Sequence, residues 1–97
     1  MNKDRVRRVL KFIQDTYSTE GEKDIQIFFT PNIAGDYMET AYETGDVTID
    51  FAPSYWYVEV FGLSTDEENW IEDNVLGGLS NFEFDTPWET KLEEADV

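Results

Sequence analysis

The chain has 97 residues, an apolar fraction of 40%, fifteen aromatics, and a formal charge of −15 from twenty-two acids against seven bases. It has no cysteine and no histidine, which excludes disulfides, the usual zinc sites and Ser-His-Asp or Cys-His catalysis. The length suits one domain with one modest core, and the apolar content opposes disorder at this charge density.

Charge is segregated along the sequence. Lys3, Arg5, Arg7, Arg8, Lys11 and Lys23 lie in the first 23 residues, beside Asp4, Asp15, Glu20 and Glu22. From Asp24 onward there are eighteen acids and only Lys91. Such a body attracts basic partners and repels nucleic acid and anionic membranes. The basic start is interrupted by Arg7, Arg8, Lys11 and Gln14, so it has no signal-peptide core. No run approaches the ~18 apolar residues of a membrane span. A soluble, cytoplasmic, single-domain chain (1–97) is expected.

In chain order, Val6, Val9, Leu10, Ile13 and Tyr17 repeat at helical spacing, with Arg7, Arg8 and Lys11 opposite. This predicts an amphipathic helix over 3–17 whose basic side is a solvated face, with a small basic patch as the alternative. Residues 18–23 form a polar connector. Ile25, Ile27 and Phe29 then alternate with Gln26, Phe28 and Thr30 until Pro31, the period of a strand. Three more strand-like runs follow at Tyr37–Glu43, Asp46–Phe51 and Tyr55–Phe61, separated by Thr44-Gly45 and Ala52-Pro53-Ser54. Short links join antiparallel neighbours. The expected fold is therefore α+β, a four-stranded antiparallel meander over 24–61 with the first helix on one face. Val47, Ile49 and Phe51 with Trp56, Val58 and Val60 supply the apolar face. Val6, Leu10, Ile13 and Ile27 complete the expected core. Asp46, Thr48 and Asp50 with Tyr55, Tyr57 and Glu59 face outward.

Ser64 and Thr65 ahead of Asp66, Glu67 and Glu68 make a capping-box arrangement. A short second helix over 65–76 carries Trp70, Ile71 and Val75 and stops at Gly77-Gly78. Phe82 and Phe84 alternate with acids as in a short fifth strand. The tail, 86–97, is acidic and is expected to fray except at Trp88.

The chemistry that remains is sparse. No Gly-rich loop precedes Lys-Ser or Lys-Thr, so a P-loop is absent. A carboxylate pair for glycoside hydrolysis arises by chance among so many acids and carries no signal. The acids of 66–73 lack the alternation and glycine of a calcium loop. No enzyme, cofactor or metal is expected.

A surface is left, in three acidic clusters. The first combines Asp46, Asp50, Glu59 and Glu39 with Tyr37, Tyr55 and Tyr57 on the outward sheet face. Strand residues two apart are ~6.6 Å apart, about two base steps at ~3.4 Å per strand. Carboxylates so spaced stand in for phosphates toward arginine and lysine, and tyrosines stack on guanidinium groups. The second is Asp66, Glu67, Glu68, Glu72 and Asp73; the third is Glu89, Glu93, Glu94 and Asp96. The plain alternative is a solvated acidic face.

In size, charge and lack of catalytic residues, the whole chain resembles the phage inhibitors that imitate nucleic acid, the anti-restriction and anti-CRISPR proteins. Asp46, Asp50, Tyr57 and Glu59 carry the resemblance, without a family motif. It implies an inhibitor that binds the basic nucleic-acid site of another protein, in the host cytoplasm, and binds no nucleic acid or membrane itself. An immunity or antitoxin protein that neutralises a basic toxin, and a structural module whose acidity serves solubility, fit the same sequence.

Overall fold

The computed structural model describes residues 1–20, 25–29, 41–45, 47–51, 57–83 and 85–95, with side chains 17–20, 41–44, 51 and 57 left aside. The fold is α+β. Helix α1 (Lys3–Glu20) is followed by strands β1 (Gln26–Phe29), β2 (Ala41–Thr44), β3 (Val47–Phe51) and β4 (Tyr57–Phe61). Helix α2 (Thr65–Asn74), a 3-10 turn (Gly78–Ser80) and helix α3 (Trp88–Glu94) complete it. Among the described residues no helix is long and apolar enough to cross a membrane.

Helix α1 starts where Asn2 Oδ1 accepts the Arg5 backbone N–H at 3.0 Å, occupying a donor the first turn leaves open. Its stripe of Val6, Val9, Leu10 and Ile13 is fully buried, as the spacing requires. These side chains share one cluster with Ile25 and Ile27 of the β1 segment, Val47 and Ile49 of β3, and Val58 and Val60 of β4. Each such side chain contributes about 1.5–3 kcal/mol by leaving water.

The strands do not form the antiparallel meander expected from the sequence. Their order is β1-β4-β3-β2, and the sheet is mixed. β2 and β3 pair antiparallel, as do β3 and β4. β1 instead lies parallel to β4, with Ile27 beside Val58 and Phe29 beside Val60. The physical reason is that a short link forces antiparallel pairing, whereas parallel neighbours need a long connection. That connection between β1 and β4 contains β2 and β3. Gly45 closes the β2–β3 link at φ 69°, the left-handed region that glycine enters without strain. The Arg8 side chain lies against it, so a Cβ there would sit 2.9 Å from the guanidinium.

The register does put Val47, Ile49, Val58 and Val60 on the helix-covered face. The opposite face departs from expectation. Asp50 is only 2% exposed, and Phe61 on the same face is buried too. Alternation assigns a side chain to a face, but whether that face meets water depends on what the rest of the chain lays over it. Of the expected strand and core residues, Tyr37–Thr40, Asp46, Tyr55 and Trp56 lie outside the described residues.

Two further corrections concern the C-terminal third. Helix α2 ends at Asn74, with Val75 as its cap, one turn short of Gly77-Gly78. The two glycines belong instead to a tight loop in which the Gly77 N–H donates to the Asn81 carbonyl at 2.7 Å. No fifth strand forms around Phe82, which makes isolated bridge pairing with Leu76, while its N–H donates to the Ile25 carbonyl at 2.7 Å. Phe84 lies outside the described residues. The loop thus caps part of the outer edge of β1, where Gln26 also pairs with Asn81.

The tail, expected to fray, is helical over Trp88–Glu94. Trp88 and Leu92, four residues apart, are buried against the core, and the Trp88 indole N–H donates to Gln14 Oε1 of α1 at 2.6 Å. An indole buried with its donor satisfied anchors a short helix that propensity alone would not hold.

Candidate acidic interface

Helix α2 begins in the capping box read from the sequence. Ser64 Oγ accepts the Glu67 N–H at 3.2 Å, and the Ser64 N–H donates to Glu67 Oε1 at 2.8 Å. The structure adds what the sequence concealed. Glu67 Oε2 also accepts the Asn2 N–H at 2.8 Å, and Arg5 Nη1 donates to both carboxylate oxygens at 3.1 and 3.3 Å. Glu67 is 1% exposed. Burial, the largest single influence, pushes its carboxyl up; the Ser64 and Asn2 amides and the Arg5 guanidinium together outweigh it and hold it below the usual value. Placed among the partner-facing acids by sequence, Glu67 is instead a structural latch between α1 and α2. A first-turn acid complements the helix dipole whether it faces water or protein, so spacing alone does not separate the two.

The rest of that cluster faces outward. Asp66, Glu72 and Asp73 are exposed, and Glu68 is half-buried. Burial, then the charge of Glu72 one turn on, pushes the Glu68 carboxyl up. On α3, Glu89, Glu93 and Glu94 are exposed as well. Asp96 is outside the described residues.

The described bases have partners of their own. Arg5 holds Glu67, Arg7 pairs with Asp4 at 2.8 Å, and Lys11 reaches Asp15 at 3.8 Å. Arg8 lies over the β2–β3 link. The Lys3 and Lys91 ammonium groups reach the Glu93 and Asn74 carbonyls at 3.3 and 3.4 Å. Among the described residues, Asp66, Glu72, Asp73, Glu89, Glu93 and Glu94 therefore make no side-chain ion pair. Solvent and counterions soften their mutual repulsion.

Of the sheet-face cluster, Asp50 and Glu59 have described side chains. Asp50 is buried and presents no surface to a partner. Glu59, its cross-strand neighbour, is half-buried, with Phe28 beside it on β1. Tyr57 belongs to β4 opposite Gln26, with its side chain left aside; Tyr37, Glu39, Asp46 and Tyr55 lie outside the described residues. Among the described residues no three acids converge as a metal site requires.

The sequence reading missed one feature. A groove of about 370 Å³ is lined by Met1, Asp66, Asn69, Trp70, Asp73 and Asn74. Trp70 is half-buried, packed against the core yet also part of this wall. The signal was the spacing of Asp66, Trp70 and Asp73, which puts all three on one helical stripe; the sequence reading places Trp70 on the second helix and gives it no part in a surface. No protein-family model, curated protein or solved structure matches the chain.

Proposed function

We propose that the protein is a non-enzymatic inhibitor that occupies the basic nucleic-acid-binding site of another protein, with α2 and α3 as the phosphate-like surface. One observation carries this reading: the exposed carboxylates of α2 and α3 make no ion pair among the described residues, while the described bases have partners within the chain. Asp66 and Asp73 are about 10 Å apart along the helix axis, about three base steps at ~3.4 Å per strand. Complementary fields of this kind speed capture and select partners more than they add affinity. The burial of Asp50 shifts the reading from the sheet face to the helices.

The test is displacement. Purified basic DNA- and RNA-binding enzymes, restriction and CRISPR effectors among them, are loaded with fluorescently labelled nucleic acid, and anisotropy is followed as the protein is added. Stoichiometric release from at least one enzyme, weakened by raised salt, is expected. Unchanged anisotropy across the panel, or direct binding of the protein to duplex DNA at physiological salt, overturns the reading.

A further inference from the structure

We propose that the α2 groove receives an arginine side chain of the partner protein, stacked on Trp70 and held between Asp66 and Asp73. The inference rests on the basic-partner reading above and assigns that partner's anchoring residue and its seat.

The groove combines three things that an extended acidic face lacks. It is concave, at about 370 Å³, and all of its lining residues belong to α2 except Met1. Its wall includes a tryptophan, half-buried and packed against the core on one side. Its two ionisable side chains are carboxylates, both exposed and neither in an ion pair among the described residues. No basic side chain lines it, although Met1 brings its amino group to the rim and Lys91 of α3 reaches the carbonyl of the lining residue Asn74 at 3.4 Å.

Complementarity then selects the occupant. Two carboxylates repel an anion. A bare divalent cation lacks the third converging acid, which is absent among the described residues. A cationic side chain satisfies both acids, and a tryptophan face favours the flat, weakly hydrated guanidinium over the compact, strongly hydrated ammonium. The guanidinium also carries five N–H donors, enough to serve both carboxylates while stacked. Asn69, one position before Trp70, adds an amide to the rim.

The experiment titrates isotopically labelled protein with hexa-arginine and, separately, hexa-lysine, following amide and indole resonances by NMR. Saturable shifts centred on the Trp70 indole and the Asn69 side chain are expected for hexa-arginine. The Trp88 indole, tied to Gln14, serves as the internal reference. Asp66→Asn with Asp73→Asn is expected to weaken hexa-arginine binding by about tenfold or more, the factor that ~1.4 kcal/mol represents. Trp70→Leu is expected to weaken it comparably without altering net charge, a response that a diffuse field does not give. Because Trp70 also touches the core, the Asp66/Asp73 variant keeps the test decisive if the leucine variant unfolds. Hexa-lysine that shifts Trp70 as tightly as hexa-arginine overturns the guanidinium assignment. Hexa-arginine that saturates elsewhere, with Trp70 still, overturns the groove and leaves the basic-partner reading intact. No hexa-arginine binding overturns the groove also, and the displacement assay then decides the wider reading by itself.

Discussion

Helices α2 and α3 each turn one side inward and one outward, and their side chains divide accordingly. Inward, Glu67 accepts hydrogen bonds from Ser64, Asn2 and Arg5, while Ile71, Trp88 and Leu92 join the core. Outward, Asp66, Glu72, Asp73, Glu89, Glu93 and Glu94 meet solvent without a described ion pair. Glu67 and Asp66 are adjacent and chemically alike, yet one is structural and the other is available. A high acid count therefore overstates the surface charge that a partner meets, because some carboxylates are spent on the fold.

The comparison breaks most easily at Leu92. Leu92→Ala is expected to cost about 3 kcal/mol in urea unfolding, the range for a buried leucine that leaves a cavity. A loss below about 1 kcal/mol, typical of surface sites, would return α3 to the frayed tail first expected.

Next is Glu67→Gln, which removes the charge and keeps the shape. About 2 kcal/mol is expected at pH 7, since the Ser64 and Asn2 amides donate to different oxygens, of which Gln keeps one, and the Arg5 contact loses its charge. The pH dependence sharpens this. Glu67 is held below its ordinary value of 4.5 in the folded protein. Its stabilisation is thus full above the unfolded value and lost as pH falls through the lowered folded value. The gap between wild type and Glu67→Gln should stay constant above about pH 5.5 and shrink below 4.5. Paired denaturation curves at successive pH values measure it, and a gap that widens in acid would contradict the latch.

The outward side should show smaller effects of the opposite sign. The folded-state carboxyl of Glu68 is pushed up, so the ionised form opposes folding. Glu68→Gln is expected to stabilise the protein at pH 7 by about 0.3 kcal/mol, the size of a like-charge pair one helical turn apart. The advantage should fade as pH falls through the raised folded value and be gone below 4.5. Smallest of all is Asp66→Asn with Asp73→Asn, expected to shift stability by less than about 0.5 kcal/mol. A large loss there would mean that these acids also hold the fold.

How much of this was legible follows from which signals are local. The α1 stripe and the Ser64–Glu67 box are patterns within a turn or two, and both stand in the structure. Strand order is not local: Ile25, Ile27 and Phe29 alternate identically whether β1 neighbours β2 or β4. Asp50 reads as solvent-facing because a carboxylate opposite an apolar face ordinarily is, and nothing near it in sequence reports its burial. Arg5 and Glu67 are bonded across a separation of 62 residues, which no spacing rule links. In the tail the acids around Trp88 and Leu92 hid a pair four apart that marks one buried face. The α2 cluster was legible as acidic, but the groove needed the orientation of Trp70.

The long reach of α1 has a consequence for how the molecule is made. Its described tertiary bonds go to Glu67, Trp88 and Glu93, at sequence separations of 62 to 90 residues. Contacts so far apart must close long loops before they stabilise anything, which slows folding. During synthesis the first helix emerges with its apolar stripe bare and waits for the segments that cover it. At ~5–20 residues per second, that interval lasts on the order of several seconds. Arg7, Arg8 and Lys11 give the side opposite the stripe a positive charge, which favours solubility while the stripe is uncovered.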